Sequence, residues 1–117
     1  MPADVTYRSR AVRALVLLHE EHLRRFVHTW RLALAASAML PVSDDPAFAS
    51  LGTLGQHVLG AARHYMVWMC EVLELRDPGI RPAPDAAAIL REAEEYMEHV
   101  LKRWRAPLSE EELMKGR

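Results

Sequence analysis

Six histidines, one cysteine and a scatter of carboxylates are the side chains of this sequence able to do chemistry. The sequence holds no Gly-rich phosphate loop, no nucleophile elbow and no Cys-x-x-Cys pair, so metal or acid–base chemistry would fall to the imidazoles. His57 and His64 stand seven apart, with Glu71 seven further on. On a helix these three share one side, at the border between its apolar face and its polar back. Seven residues rise about 10.5 Å, whereas a zinc–nitrogen bond is about 2.0–2.1 Å, so the two imidazoles do not share one ion. A ligand role for either requires partners from other helices. The bland alternative is a polar residue edging a core.

The remaining histidines carry weaker signals. His19-Glu-Glu-His22 lacks the spacing of a zinc protease, which needs two histidines four apart around a glutamate. His19 falls near the centre of an apolar stripe and His22 at its edge. A buried imidazole there needs a hydrogen-bond partner or a metal. Packing through the Pro41–Pro46 turn would bring His19 towards Cys70 and Glu71, a third arrangement with no motif behind it. His28 reads as solvated, and His99 as a surface partner of Glu95. Cys70 has no basic neighbour one helical turn away and reads as a bystander.

Three helical segments must position these groups. Val12, Leu15, Val16, Leu23, Phe26, Val27, Trp30 and Leu34 recur at three- and four-residue steps, which predicts a long amphipathic helix over 6–39. Pro41-Val-Ser-Asp-Asp-Pro46 breaks it, with a short lead-in turn expected at Asp45-Pro46. Ser50 is the expected N-cap of a second helix ending near Leu75. Its apolar face reads Leu51, Leu54, Val58, Ala61, Ala62, Tyr65, Met69 and Val72, flanked by Met66 and Trp68. Gly52, Gly55 and Gly60 within it are candidates for close helix approach. The Pro-rich stretch 76–84 is the second break, and Asp85 caps a third helix over 86–105 with core positions Leu90, Ala93, Met97, Val100, Leu101 and Trp104. Arg91–Glu95 and Glu98–Lys102 are expected ion pairs on its outer side, and Pro107 is its expected stop. Ser109-Glu-Glu-Glu112 reads as the capping box of a further short helix.

The expected fold class is therefore all-α: an up-and-down helical bundle, three long helices plus the start of a fourth, in a single domain over 1–117. Its 117 residues, 50% of them hydrophobic, suffice for one core without staples. Net charge is −1, which leaves no electrostatic footprint for nucleic acid or anionic membrane. No apolar run reaches membrane-spanning length, and the first residues lack the basic start and apolar run of a signal peptide. Cytoplasm is the expected compartment, and one cysteine asks for no oxidising environment.

The segment Ser50-Leu-Gly-Thr-Leu-Gly-Gln-His57-Val-Leu-Gly-Ala-Ala-Arg-His64-Tyr-Met-Val-Trp68 resembles the second helix of the DinB-like (DinB/YfiT) four-helix-bundle family. The long preceding helix, the proline turn and the later helix fit the same order, so the resemblance covers most of the chain. It implies a divalent metal, nickel or zinc, held by three histidines. The helix-two ligand maps onto His57, with His64 as a weaker candidate, and the other two belong to a His-x-x-x-His pair on the last helix. No such pair follows His64 in this sequence, so the ligand set is incomplete and the chain resembles a member lacking its C-terminal helix. Some members are metal-dependent transferases acting on small-molecule thiols. The resemblance implies that class of activity without assigning catalytic residues here. The competing expectation is a non-catalytic interaction module, in which an apolar groove left between the helices is filled by a second copy to make a homodimer whose interface includes the helix-two border carrying His57 and His64.

Overall fold

A computed structural model describes residues 10–109, which form three α-helices and one 3-10 turn, with no strand among the described residues. Helix α1 spans Arg10–Ala35 and buries Val16, Glu20, Leu23, Val27 and Trp30, spaced three or four apart along one side. The expected start at Thr6 and the short helix expected after Ser109 lie outside the described residues. At the α1–α2 break, Asp45 caps the 3-10 turn Pro46–Phe48 by accepting the Ala47 N–H at 2.9 Å.

Helix α2 spans Leu51–Val72. Ser50 is its N-cap, accepting the Thr53 N–H at 3.0 Å while the Thr53 hydroxyl accepts the Ser50 N–H at 2.9 Å. The face that α2 buries is not the one periodicity selects. Gly52, Gly55, Leu59, Met66, Met69 and Cys70 are buried, whereas Ala61, Tyr65 and Val72 are exposed. Tyr65 precedes buried Met66 by one position, a rotation of about 100°. The helix has turned by that much because two glycines and Cys70, weak in any hydrophobic tally, form the side that approaches its neighbours.

Helix α3 spans Ile89–Leu108 and contributes the largest share of the core: Ile89, Tyr96, Val100, Leu101, Trp104 and Leu108 are all buried. Leu90, expected in the core, is exposed. Asp85 caps a lead-in turn through its Oδ1, which accepts the Ala87 and Ala88 N–H groups at 3.1 and 2.8 Å. Pro107 does not stop the helix but sits inside its last turn. The expected pairs along α3 are replaced by longer-range ones. Glu95 pairs with Arg81 of the preceding link, and Glu98 and Glu94 pair with Arg24 and Arg31 of α1.

These contacts set the topology. Trp30, late in α1, donates to the Leu51 carbonyl at 2.7 Å, while His19, early in α1, meets Tyr65 late in α2. Arg31 faces Glu94 and Arg24 faces Glu98, so α1 is antiparallel to both other helices. Helices α2 and α3 are consequently parallel, and the bundle runs up, down, down. The link over residues 73–88 makes this possible. It must travel back about 33 Å along α2, well within its extended reach of about 50 Å. It is pinned on the way. Arg63 Nε donates to the Ile80 carbonyl at 2.8 Å, Arg103 Nε to the Gly79 carbonyl at 3.1 Å, and the Tyr96 hydroxyl to the Arg81 carbonyl at 2.8 Å. Gly79 has φ +71°, the left-handed region in which a side chain is strained, so the turn requires glycine.

Candidate functional site

The structure does not assemble the histidines. His57 and His64 each precede a buried residue, Leu59 and Met66, by two positions, a rotation of about 200° that turns both rings away from the core. Both are exposed, not on the border of the packed face. The difference follows from the rotated face of α2, since a border measured from Tyr65 and Val72 becomes the back when measured from Leu59 and Met66. Among the described residues no group of three or more His, Cys, Asp or Glu side chains is placed to hold a metal ion. A zinc or nickel site of the kind the resemblance implies needs about three protein ligands, and the described residues do not fit one.

His19 is the imidazole that the fold does engage. It packs against Tyr65 of α2 with ring centroids 4.9 Å apart and lies nearly perpendicular to Trp104 of α3 at 5.6 Å. Desolvation, with a smaller contribution from the nearby His22, holds its pKa below the ordinary 6.5. Its ring contacts are with Tyr65 and Trp104 and not with Cys70 or Glu71. Cys70 is fully buried, and burial pushes its thiol pKa up, with Asp77 adding to the shift and Arg76 opposing it. That is the environment of an inert thiol, not a nucleophile. His28 and His22 are exposed. The hydrogen-bond partner of His99 is the Arg81 backbone, whose N–H its Nε2 accepts at 3.1 Å, which fixes the neutral ring with its proton on Nδ1, while Glu95 acts on it through charge alone.

One buried ion pair joins α1 to α3. Glu20 Oε1 accepts from Arg105 Nη2 at 2.6 Å and from Arg24 Nε at 3.3 Å. Glu20 Oε2 and Arg105 Nε are buried without partners, but they belong to the same pair and make no separate site. Between the exposed Arg24–Glu98 and Arg31–Glu94 bridges lies an open groove of about 450 Å³ that also holds His28 and Met97. Its arginines are already matched by carboxylates, so it has no surplus charge to recognise an ion.

The most distinctive surface lies along the outer side of the α1–α2 pair. It carries five large apolar side chains with much of their surface in solvent: Leu15 (37%), Leu18 (47%), Tyr65 (38%), Trp68 (55%) and Val72 (58%). Ala11, His19, His22, Phe26, Thr29 and Ala33 complete the α1 half, and Leu54, Val58 and Ala61 the α2 half. None of these positions is Lys, Arg, Asp or Glu. The outer side of α3, by contrast, exposes Arg91, Glu92, Glu94, Glu95, Glu98, Lys102 and Arg103. One turn beyond Leu54, Leu51 opens onto a cavity of about 430 Å³ lined also by Met39, Leu40, Val42 and Phe48. Periodicity selects Leu15, Phe26, Leu54, Val58, Ala61, Tyr65 and Val72 as core positions and Trp68 as their flank, and it passes over Leu18. The signal that separates this face from the core is the absence of charge over an arc wider than two neighbours can cover.

In comparisons with known proteins, no family model, no curated protein and no solved structure matched this chain.

Proposed function

We propose that this chain is a DinB-like helical-bundle module that acts by association, forming a homodimer through the outer face of α1 and α2. The observation that carries this reading is the charge-free arc running from Leu15 and Val72 to Leu54 and Ala33. Large exposed apolar patches on small proteins mark binding surfaces. A two-fold interface pairs each residue of a surface with another residue of the same surface, so a face without fixed charge can close on its copy without burying an unmatched ion. This face has none, and Tyr65, which meets His19 between α1 and α2, and Trp68 are aromatic side chains of the kind in which interface energy concentrates. An interface worth about 6 kcal/mol or more associates at tens of micromolar. Light scattering at that concentration tests the reading: a dimer is expected, and Trp68→Glu, which alters an exposed side chain, returns it to a monomer with unchanged helical content. A monomeric parent protein refutes the proposal. No described helix is long and apolar enough to cross a membrane. A buried free thiol accords with a reducing compartment, and we assign the cytoplasm.

A second reading, a divalent-metal protein of the thiol-transferase kind, draws its support from His57. Its ring is exposed on α2 and makes no hydrogen bond with the described residues, which leaves both nitrogens open. Nickel or zinc would then need further ligands from outside residues 10–109. Elemental analysis of the parent and His57→Ala proteins after supply of each metal decides it: lower content in the variant supports the role, and equal content, or none in either, removes it.

A further inference from the structure

We propose that the link over residues 73–88 is an acid-released strap, held closed over the groove between α2 and α3 by His99. Side chains of both helices grip the backbone at its middle. Arg63 of α2 donates to the Ile80 carbonyl, and Arg103 of α3 to the Gly79 carbonyl. Tyr96 of α3 donates to the Arg81 carbonyl, while His99 accepts the Arg81 N–H at 3.1 Å. The Ile80 carbonyl and the Arg81 N–H belong to one peptide, and in a trans peptide the two point in opposite directions. That single plane therefore bridges the groove, with α2 at one end and α3 at the other. Ile80, which carries it, is 4% exposed and is the apolar anchor of the strap, and Pro78 is buried two residues before it. Arg63, Arg103 and Tyr96 act as donors and keep their protons at neutral pH and below. His99 is the acceptor of the set, and only its neutral ring can serve.

The groups around His99 turn protonation into release. From the strap it faces the Arg81 guanidinium, and from α3 Arg103, Glu95 and the Tyr96 ring, whose centroid is 6.1 Å away. From α2, Arg63 stands at Ile80 and acts by charge on Tyr96. Glu95 is the carboxylate of this set, and it is already paired with Arg81. An imidazolium would set one N–H against another, with the Arg81 and Arg103 guanidiniums nearby. Desolvation and these two arginines hold the ring's pKa below the ordinary 6.5, against Glu95. Once clear of the strap, the ring returns towards that ordinary value. The closed strap thus binds fewer protons than the open one. Its hold is intact above 6.5 and declines as pH falls towards the closed-state value. Each unit between the two pKa values multiplies the open fraction about tenfold once the ring is fully protonated. Losing the α3 end of the bridging peptide frees the plane that seats Ile80, so the anchor lifts with it. This goes beyond the loss of one hydrogen bond: it uncovers the apolar groove between α2 and α3.

The sequence supplies a reporter and its control. It holds two isoleucines, Ile80 in the strap and Ile89 at the start of α3, both buried. Methyl NMR of the full chain, with a soluble nitroxide that broadens exposed methyls, reads each at pH 7.5 and at pH 5.5. The Arg81 amide protection factor, corrected for intrinsic exchange, is read beside them. A His99→Gln variant keeps an acceptor that does not protonate, with circular dichroism to confirm that it is folded. In the parent, acid should broaden Ile80 and leave Ile89 as it was, while Arg81 protection falls several-fold. In the variant none of the three should respond to pH, whether its strap rests closed or open. Ile80 sheltered at both pH values in the parent overturns the inference even if Arg81 protection falls, since the bond then breaks without releasing the strap. Equal broadening of Ile80 and Ile89 overturns it in favour of general loosening. A variant that responds as the parent does overturns the role of His99. If His99→Gln does not fold, His99→Asn replaces it under the same criteria.

Discussion

Three glycines on α2 are one residue type in one helix, yet substitution by alanine should move stability in different directions. Each change removes a helix-interior glycine, a gain of about 1 kcal/mol in propensity at most. What opposes it is set by what a Cβ would touch. At Gly60 the nearest atom is the Ala83 Cβ at 3.8 Å, an ordinary contact, so Gly60→Ala should stabilise by about 0.5–1 kcal/mol. At Gly55 the Cβ would lie 2.8 Å from Trp30 Cζ2 and 3.2 Å from its Nε1. Trp30 is buried and holds the Leu51 carbonyl at 2.7 Å, so the ring cannot swing clear without loosening that bond. Overpacking costs about 1–3 kcal/mol and a weakened hydrogen bond about 1, which outweighs the propensity gain and leaves a net loss of about 1–2 kcal/mol. At Gly52 the Cβ would meet the Ala86 carbonyl oxygen at 2.5 Å. That atom is backbone, in the turn leading into α3, and Gly52 lies in the first turn of α2, where the propensity gain is smaller. The loss there should be the largest, about 2–3 kcal/mol. Urea unfolding reads all three, with unchanged slope and shifted midpoint. In thermal unfolding each kcal/mol moves the midpoint by about 4–8 °C. Alanine tolerated equally at 52 and 60 would refute the close approach of α2 to the start of α3, and with it the route assigned to the 73–88 link.

Two further predictions concern groups that the fold has committed. His99 accepts the Arg81 N–H as a neutral ring, and its pKa is lowered, first by desolvation and then by Arg81 and Arg103, against Glu95. A histidine with a lowered folded pKa binds more protons when unfolded, so its contribution to stability is intact above the ordinary 6.5 and declines as pH falls below it towards the folded value. Amide exchange protection at Arg81 should therefore fall on acidification through pH 6, and in His99→Ala it should be low at every pH; protection independent of pH in the parent would contradict the bond. Cys70, buried and with a raised pKa, should resist a thiol reagent in the native protein and react at once in denaturant. Rapid native labelling would show that its helix opens far more readily than the packing implies.

The helices were largely legible because capping residues and three- and four-residue spacing are local. Ser50 and Asp45 cap where their types and positions indicate, whereas Asp85 caps the turn before α3 and the helix itself starts three residues later than expected, at Ile89. What was not legible depends on partners distant in sequence. Arg24 and Arg81 draw Glu98 and Glu95 out of the local pairs that spacing favours, since a helix wheel knows nothing of a neighbouring element. The up-down-down course was hidden for a similar reason. A proline-rich link states that a helix ends, but its length permits return along α2 as readily as a tight reversal.

The misplaced face of α2 follows from the same limit, and it carries the functional argument. A helix in a packed globule commonly shows an apolar stripe little more than 100° wide. The apolar positions of α2 extend from Cys70 and Leu59 through Met66 and Met69 to Tyr65, Val72 and Trp68, about twice that arc. Periodicity finds the centre of an apolar arc, not the part of it that neighbours cover, and here the centre lies towards Tyr65. Two helices, α1 and α3, cover the side marked by Gly52, Gly55 and Leu59, where missing side chains let them come close. The remainder is left outside, as are Leu15 and Leu18 of α1, with half-buried Phe26 packed against the core beside them. An apolar arc wider than its own bundle can bury, kept free of Lys, Arg, Asp and Glu on two adjacent helices, is costly to leave in water and easily broken by one charge. That both halves lack such a charge is the physical reason to look for what closes over Tyr65 and Trp68 before looking for what His57 binds.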